Sequence, residues 1–95
     1  MRVLGEAILA RFAAKHAGAR APLQRFLEIA RNAQWRHYPA VKDTFRATDI
    51  GKKTGRLIFD IGGNKYRLIA SVDFAEQLLV IEQVLTHEDY GRETF

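Results

Sequence analysis

The sequence predicts an α+β fold, with a pair of N-terminal helices packed on a small twisted antiparallel sheet and a short C-terminal helix. Three observations carry this reading. Apolar residues recur at helical spacing through the N-terminal part of the chain. From Arg56 the period switches to two and is broken by Gly62-Gly63-Asn64, a combination suited to a hairpin turn because Gly and Asn tolerate positive φ. After the last strand-like run, Thr86 and Asp89 match the threonine-x-x-acid capping pattern.

The elements follow in order. Leu4, Ile8 and Phe12 recur at four-residue spacing, with Ala7 and Ala14 beside them, as on one face of a helix. The opening Met-Arg-Val-Leu can equally begin as a short strand. Gly18 is read as a helix stop, and Pro22 suits the first turn of a second helix. Leu23, Phe26, Leu27, Ala30 and Ala33 form the apolar face of that helix, while Arg20, Arg25 and Arg31 fall off it. The stretch from Gln34 to Gly55 is less periodic and reads as a long connection, interrupted by Pro39 and tacked to the core by Trp35, Tyr38, Val41 and Phe45. Three strands then form an antiparallel meander. In the middle one, Tyr66, Leu68, Ala70, Val72 and Phe74 face one way, and Lys65, Arg67, Ile69, Ser71 and Asp73 the other. The third, Leu78–Leu85, is mostly apolar and so is expected to be central or well covered.

Length and composition bound the function. A chain of 95 residues is expected to form one domain, residues 1–95. Hydrophobic residues make up 47%, which argues against disorder. There is no cysteine, so neither a disulfide framework nor a thiolate metal site is available. The net charge of +4 permits nucleic acid or an acidic partner without demanding either. Most basic groups fall between residues 11 and 67, and the stretch after Asp73 is acidic. No secretory signal is read at the N-terminus, and no apolar run approaches the roughly 20 residues of a membrane span. A cytoplasmic protein without membrane contact is the expectation.

Several site types can be set aside. Gly62-Gly63 is a turn rather than a phosphate loop, His16, His37 and His87 lack metal-ligand spacing, and Ser71, the only serine, has no nucleophile motif around it. The polar face of the hairpin is left. Lys65 and Arg67 project from the same side about 6–7 Å apart at the backbone, a spacing suited to one phosphate or two adjacent ones. A solvated strand face is the competing reading. Ile69 shares that face, so it is not uniformly wet. Antiparallel pairing would bring His87 near the same end of the sheet, where an imidazole can act as acid or base. Tyr90, three residues on, shares the helix face of His87, as a ligand contact or as an anchor for the helix. Lys52, Lys53 and Arg56 make a basic loop, either a solvated turn or a set of backbone-phosphate contacts. His16, in the last turn of its helix, and His37, in a tacked-down loop, are assigned no chemistry.

The segment FDIGGNKYRLIASVDF together with LTHEDY resembles the HigB-type toxins of bacterial toxin–antitoxin systems, within the RelE/ParE superfamily. The shared pattern is an apolar strand, a Gly-Gly-Asn turn, a basic residue and an arginine two positions apart, a second apolar strand, and Thr-His-x-x-Tyr. The upstream VKDTFRATD and the paired N-terminal helices extend the likeness over nearly the whole chain. The resemblance implies a RelE-like fold in which the N-terminal residues form a sheet strand. It implies ribosome-dependent mRNA cleavage without a metal or cofactor, through attack of the RNA 2′-hydroxyl. Arg67 would stabilise the charge on phosphorus, His87 would be acid or base, Lys65 would support the charge, and Tyr90 would orient the nucleotide or stack on it. Lys52, Lys53 and Arg56 would meet RNA or ribosome. The implied partners are the ribosome, mRNA and a HigA-like helix-turn-helix antitoxin, with DNA reached only through that antitoxin. Two departures are visible: Gly91 stands where relatives often carry Asp, and Glu82 where a basic residue can occur. A ParE-like toxin that poisons a protein such as DNA gyrase, and a degenerate module that only binds antitoxin or RNA, are the alternatives.

Overall fold

A computed structural model describes residues 1–95. The order is β1 (Arg2–Leu4), α1 (Glu6–Lys15), a 3-10 turn (Ala17–Ala19), α2 (Arg20–Asn32), α3 (Tyr38–Thr44), β2 (Asp49–Ile50), β3 (Leu57–Ile61), β4 (Tyr66–Asp73), β5 (Leu78–Thr86) and α4 (His87–Tyr90). The sheet has five strands in the order β1-β5-β4-β3-β2, not the three of a simple meander. The expected meander is its centre. β1 adds to β5 in parallel, and β2 adds to β3 antiparallel through only two residue pairs. The first joins segments distant in sequence, which local period and turn chemistry do not specify; the second is a local hairpin whose strand is only two residues long. The N-terminal strand is the one the family resemblance implied.

Two local readings are corrected. Leu4 belongs to β1 and is 48% exposed, so the apolar face of α1 is not Leu4-Ile8-Phe12 but Leu9, with Ile8 and Phe12 packed beside it. Ala7 and Ala14 are exposed. Pro39 does not interrupt a connection; it sits in the first turn of α3, where its missing N–H has no helical partner to lose. Trp35 and Val41 tie this segment to the core as expected, and Trp35 Nε1 donates to Thr44 Oγ1 at 3.0 Å. Tyr38 remains 39% exposed, its ring edge-on to Phe74.

One face of the sheet carries the main core. Leu57, Phe59 and Ile61 of β3, Leu68 and Ala70 of β4, and Leu79, Ile81 and Val84 of β5 pack with Leu9 of α1 and with Leu23, Phe26, Leu27 and Ala30 of α2. The Met1 amino group donates to the carbonyls of Ala30, Arg31 and Ala33, placing a positive charge on the orphan oxygens at the end of α2.

Gly5 is the tight point between β1 and α1. It has φ +93°, and a Cβ there would stand 2.5 Å from the Ile81 carbonyl oxygen. Gly5→Ala is therefore expected to lower stability by about 1–3 kcal/mol from the backbone conformation alone, with the clash adding to it. Urea denaturation checks this; an unchanged midpoint would mean that β1 relaxes away from β5 at no cost.

Candidate functional site

The site is built on the second face of the sheet, at the end formed by the β3–β4 turn. The turn spans Gly62–Lys65, with positive φ at Gly62, Gly63 and Asn64. It closes the pairs Ile61↔Tyr66 and Asp60↔Arg67. On the other side of β4, Tyr66 pairs with Thr86 and Arg67 with Leu85. The ladder runs one step further, because the His87 N–H donates to the Lys65 carbonyl at 3.0 Å. Lys65 and His87 therefore stand directly opposite each other, with Arg67 two residues in from Lys65 on the same face. Lys65 is the last residue of the turn rather than a member of β4. Lys65 and His87 are exposed.

Thr86 starts α4 as its spacing predicted, its hydroxyl accepting from the Asp89 N–H at 3.1 Å. One turn on, Tyr90 lies over Arg67, with the guanidinium carbon 5.5 Å from the ring centroid. The structure thus brings Arg67, His87, Lys65 and Tyr90 to one place. Arg67 does not stand free in it. Its Nη1 donates to Asp60 Oδ1 at 3.2 Å and to the Tyr66 carbonyl, and its Nη2 donates to Asn64 Oδ1. Its side chain is 14% exposed. Asp60 also accepts from the Asn64 N–H at 2.8 Å, so one carboxylate fixes both the turn and the arginine. Sequence reasoning missed Asp60 and Asn64. The signal was present: a four-residue turn ending at Lys65 sets residue 60 opposite residue 67.

The remaining predicted contacts lie further along this face. Ile58, Ile69 and Gln83 form the next row, and Arg56, Ser71 and Glu82 lie beyond it. Ile58 and Ile69 are buried yet belong to no part of the main core. The C-terminal segment is anchored at both of its ends. Phe95 stacks on Tyr90, with ring centroids 5.9 Å apart and planes within 6°. Its carbonyl oxygen accepts from the N–H groups of Lys53 and Thr54, both at 2.8 Å. The segment therefore spans from Arg67 to the Gly51–Thr54 loop. Lys52 and Lys53 are exposed and unpaired, while Arg56 is bound to Glu82 at 2.7 Å. Arg56 is thus charge-compensated, and Glu82 acts on it rather than on the cluster around Arg67. His16 and His37 lie outside the cluster. His16 stacks on Phe12 at 4.3 Å, and His37 is exposed beside α3.

A family model described as HigB_toxin, RelE-like toxic component of a toxin–antitoxin system, matches residues 19–93. The chain belongs to the HigB toxin family. The matched span runs from the start of α2 past α4 and includes every residue of the cluster. Membership implies an antitoxin partner. No curated protein matches the chain. No helix is long and apolar enough to cross a membrane.

The Glu82 carboxyl is held below the usual carboxylate range by the hydrogen bond from Arg56, with burial opposing and Ser71 and the Arg56 charge adding. Its folded pKa lies below its unfolded value of about 4.5, so its stabilisation is present above that pH and lost as pH falls through the folded value. Glu82→Gln is expected to melt below the wild type near neutral pH, with the gap closing in acid. Thermal melts on both sides of pH 4.5 check it. A gap independent of pH would assign the loss to packing rather than to charge.

Proposed function

We propose that the chain is the toxin of a type II toxin–antitoxin pair and acts as a ribosome-dependent mRNA endonuclease that cuts without a metal and so blocks translation. The observation that supports this best is the meeting of Lys65, Arg67, His87 and Tyr90 at one end of the β4–β5 ladder. Family membership supports the toxin part directly. On this reading, the antitoxin is a HigA-like helix-turn-helix protein, and contact with DNA is made through it. The site of action is the cytoplasm.

The proposed reaction is an internal transesterification. The RNA 2′-hydroxyl attacks the adjacent phosphorus as a base takes its proton. The bond from phosphorus to the 5′-oxygen breaks, and that oxygen takes up a proton. The products are a 2′,3′-cyclic phosphate and a 5′-hydroxyl. His87 is exposed at the ladder's end, where an imidazole can give or take a proton. Lys65 is unpaired and can lie along a phosphate. Arg67 presents a planar guanidinium whose orientation is fixed in advance by Asp60 and Asn64, so little rotamer freedom is lost when charge builds on phosphorus. Tyr90, already between Arg67 and Phe95, would orient the nucleotide or stack on it. Lys52 and Lys53 would contact RNA or ribosome; Arg56, compensated by Glu82, contributes less.

The Arg67–Asp60 pair also favours a second reading, since a neutralised arginine suits a toxin that binds without cutting, as a gyrase poison would. The test is cleavage of a defined mRNA with and without programmed ribosomes. His87→Ala is expected to lower the rate by about 10²–10⁴-fold. Arg67→Ala should lower it by about 10²–10³-fold with antitoxin binding largely intact, circular dichroism confirming the fold. Cuts that persist unchanged in His87→Ala would move the proton-transfer role elsewhere. Growth arrest with no cuts at all would establish the protein-poisoning reading.

A further inference from the structure

The Gly51–Thr54 loop is built to hold an anionic oxygen. The N–H groups of Lys53 and Thr54 both donate to the main-chain oxygen of Phe95 at 2.8 Å, and the Thr54 hydroxyl donates to it at 3.1 Å. Successive N–H groups aimed at one point form an anion nest. Three donors on one oxygen exceed the two lone pairs of a neutral carbonyl and suit a charged acceptor. The Thr54 hydroxyl accepts from the Arg56 N–H at 3.2 Å, which leaves its own proton for the bound oxygen. Gly51 keeps the floor of the nest open. It is buried, and a Cβ there would overlap both the oxygen and the Cβ of Phe95. The loop does not depend on Phe95 for its shape, because the Gly51 N–H donates to the Arg56 carbonyl and the Gly55 N–H to the Gly51 carbonyl, both at 2.8 Å. Lys52 and Lys53, exposed and in no ion pair, add positive charge to it.

The residue seated in the nest also occupies Tyr90. The Phe95 ring stacks on Tyr90 with planes within 6°, and the Arg67 guanidinium lies over the same ring. A base arriving at Tyr90 therefore meets an occupied ring. Little else holds Phe95. It is half-buried and outside the core cluster, and it is joined to Tyr90 by Gly91–Thr94, all exposed, whose backbone N–H groups bond only to α4. A segment with so few buried contacts opens at low cost. One residue thus reaches both places with a flat ring and an oxygen. A nucleotide carries the same two groups, a base and a phosphate joined by a sugar.

We propose that Tyr90 and the Gly51–Thr54 nest form one nucleotide subsite for mRNA, the ring taking a base and the nest a phosphate, and that Phe95 fills this subsite until RNA displaces it. The subsite rests on the nuclease reading and deepens it. It gives the loop a role carried by its backbone rather than by its lysines alone, and it makes the C-terminal segment a competitor of the substrate. The competing reading is that Phe95 is a permanent anchor for Tyr90. The two differ in sign, since loss of a competitor strengthens RNA binding and loss of an anchor weakens it.

The test is binding of a labelled single-stranded RNA to the full chain, with variants of Phe95, Gly51 and Thr54. F95A is expected to tighten binding about fivefold, as follows when about one molecule in five has the subsite open. It should also lower KM on programmed ribosomes. G51A meets no positive φ, and its Cβ bars an oxygen from the nest. It should weaken binding about tenfold and reduce the log–log salt slope by about one, the loss of one phosphate contact. T54V removes a single donor from an exposed position and should act in the same direction more weakly. In the G51A background F95A should bring no gain, because the nest no longer seats Phe95. Unchanged or weaker binding in F95A, or a lower kcat, would make Phe95 an anchor and overturn the subsite. So would binding unchanged in both G51A and T54V, or a defect confined to ribosomes lacking mRNA, which would assign the nest to ribosomal RNA. The expected binding pattern from a protein that cuts nothing would keep the subsite and sink the nuclease. A wild type that cuts, with RNA binding alike in all the variants, would do the reverse.

Discussion

The bulge at Glu82 is the feature on which the site depends. Up to it, β5 pairs as Ala70↔Ile81; beyond it, as Ile69↔Gln83, with Glu82 left over. One extra residue in a strand reverses which side chains point to which face. Before the bulge, Leu79 and Ile81 enter the core; after it, Val84 does, and the alternation is reset. The reset puts Leu85 and His87 on the face of Arg67 and Lys65. Without it, the end of β5 would turn His87 toward the helices and Val84 away from the core. The same irregularity frees Glu82 to reach Arg56 and Ser71.

The two faces of the sheet are organised by different means. The helix side is an apolar core of ordinary make, with Phe26, Phe45, Trp35 and Phe59 packed ring against ring. The other side is a series of rows across three strands. Lys65 and His87 are outermost. Asp60 and Arg67 come next, then Ile58 and Ile69, then Arg56 with Glu82. The buried row separates two arginine–carboxylate pairs, and the C-terminal segment is anchored by the stacking of Phe95 on Tyr90 and by hydrogen bonds to the Lys53–Thr54 backbone. Tyr90 is therefore held by Arg67 and by the stacked ring of Phe95. The loop carrying Lys52 and Lys53 is mechanically tied to the ring that lies over Arg67.

Much of this was legible because it is local. The Gly-Gly-Asn turn, the two faces of β4 and the Thr86 cap are written in adjacent residues, and Ile69 among polar neighbours marks that face as not uniformly wet. What stayed hidden is non-local or irregular. β1 exists only through a partner far along the chain, and β2 is too short, at two residues, to show a period of its own. The bulge left β5 without a clean alternation, so the strand read simply as apolar. Pro39 was read as a break because a proline between aromatic residues looks the same whether it ends a segment or begins a helix. The Asp60–Arg67 pair was within reach by counting across the turn. The Arg56–Glu82 pair was not, since its register depends on the bulge.

Paired and unpaired cations do different physical work here. Arg67, fixed by Asp60 and Asn64 and largely buried, contributes little long-range field, because its charge is matched 3.2 Å away. Its value is geometric: a guanidinium already oriented when a phosphate arrives. Lys65 has the opposite character. It is exposed and has no carboxylate partner, so its field extends about a Debye length, roughly 8 Å at physiological salt. A polyanion approaching this end meets the unpaired group first and the paired arginine last. Capture should therefore depend on salt and the chemical step much less so, a separation that follows from which carboxylates the fold places beside which cations.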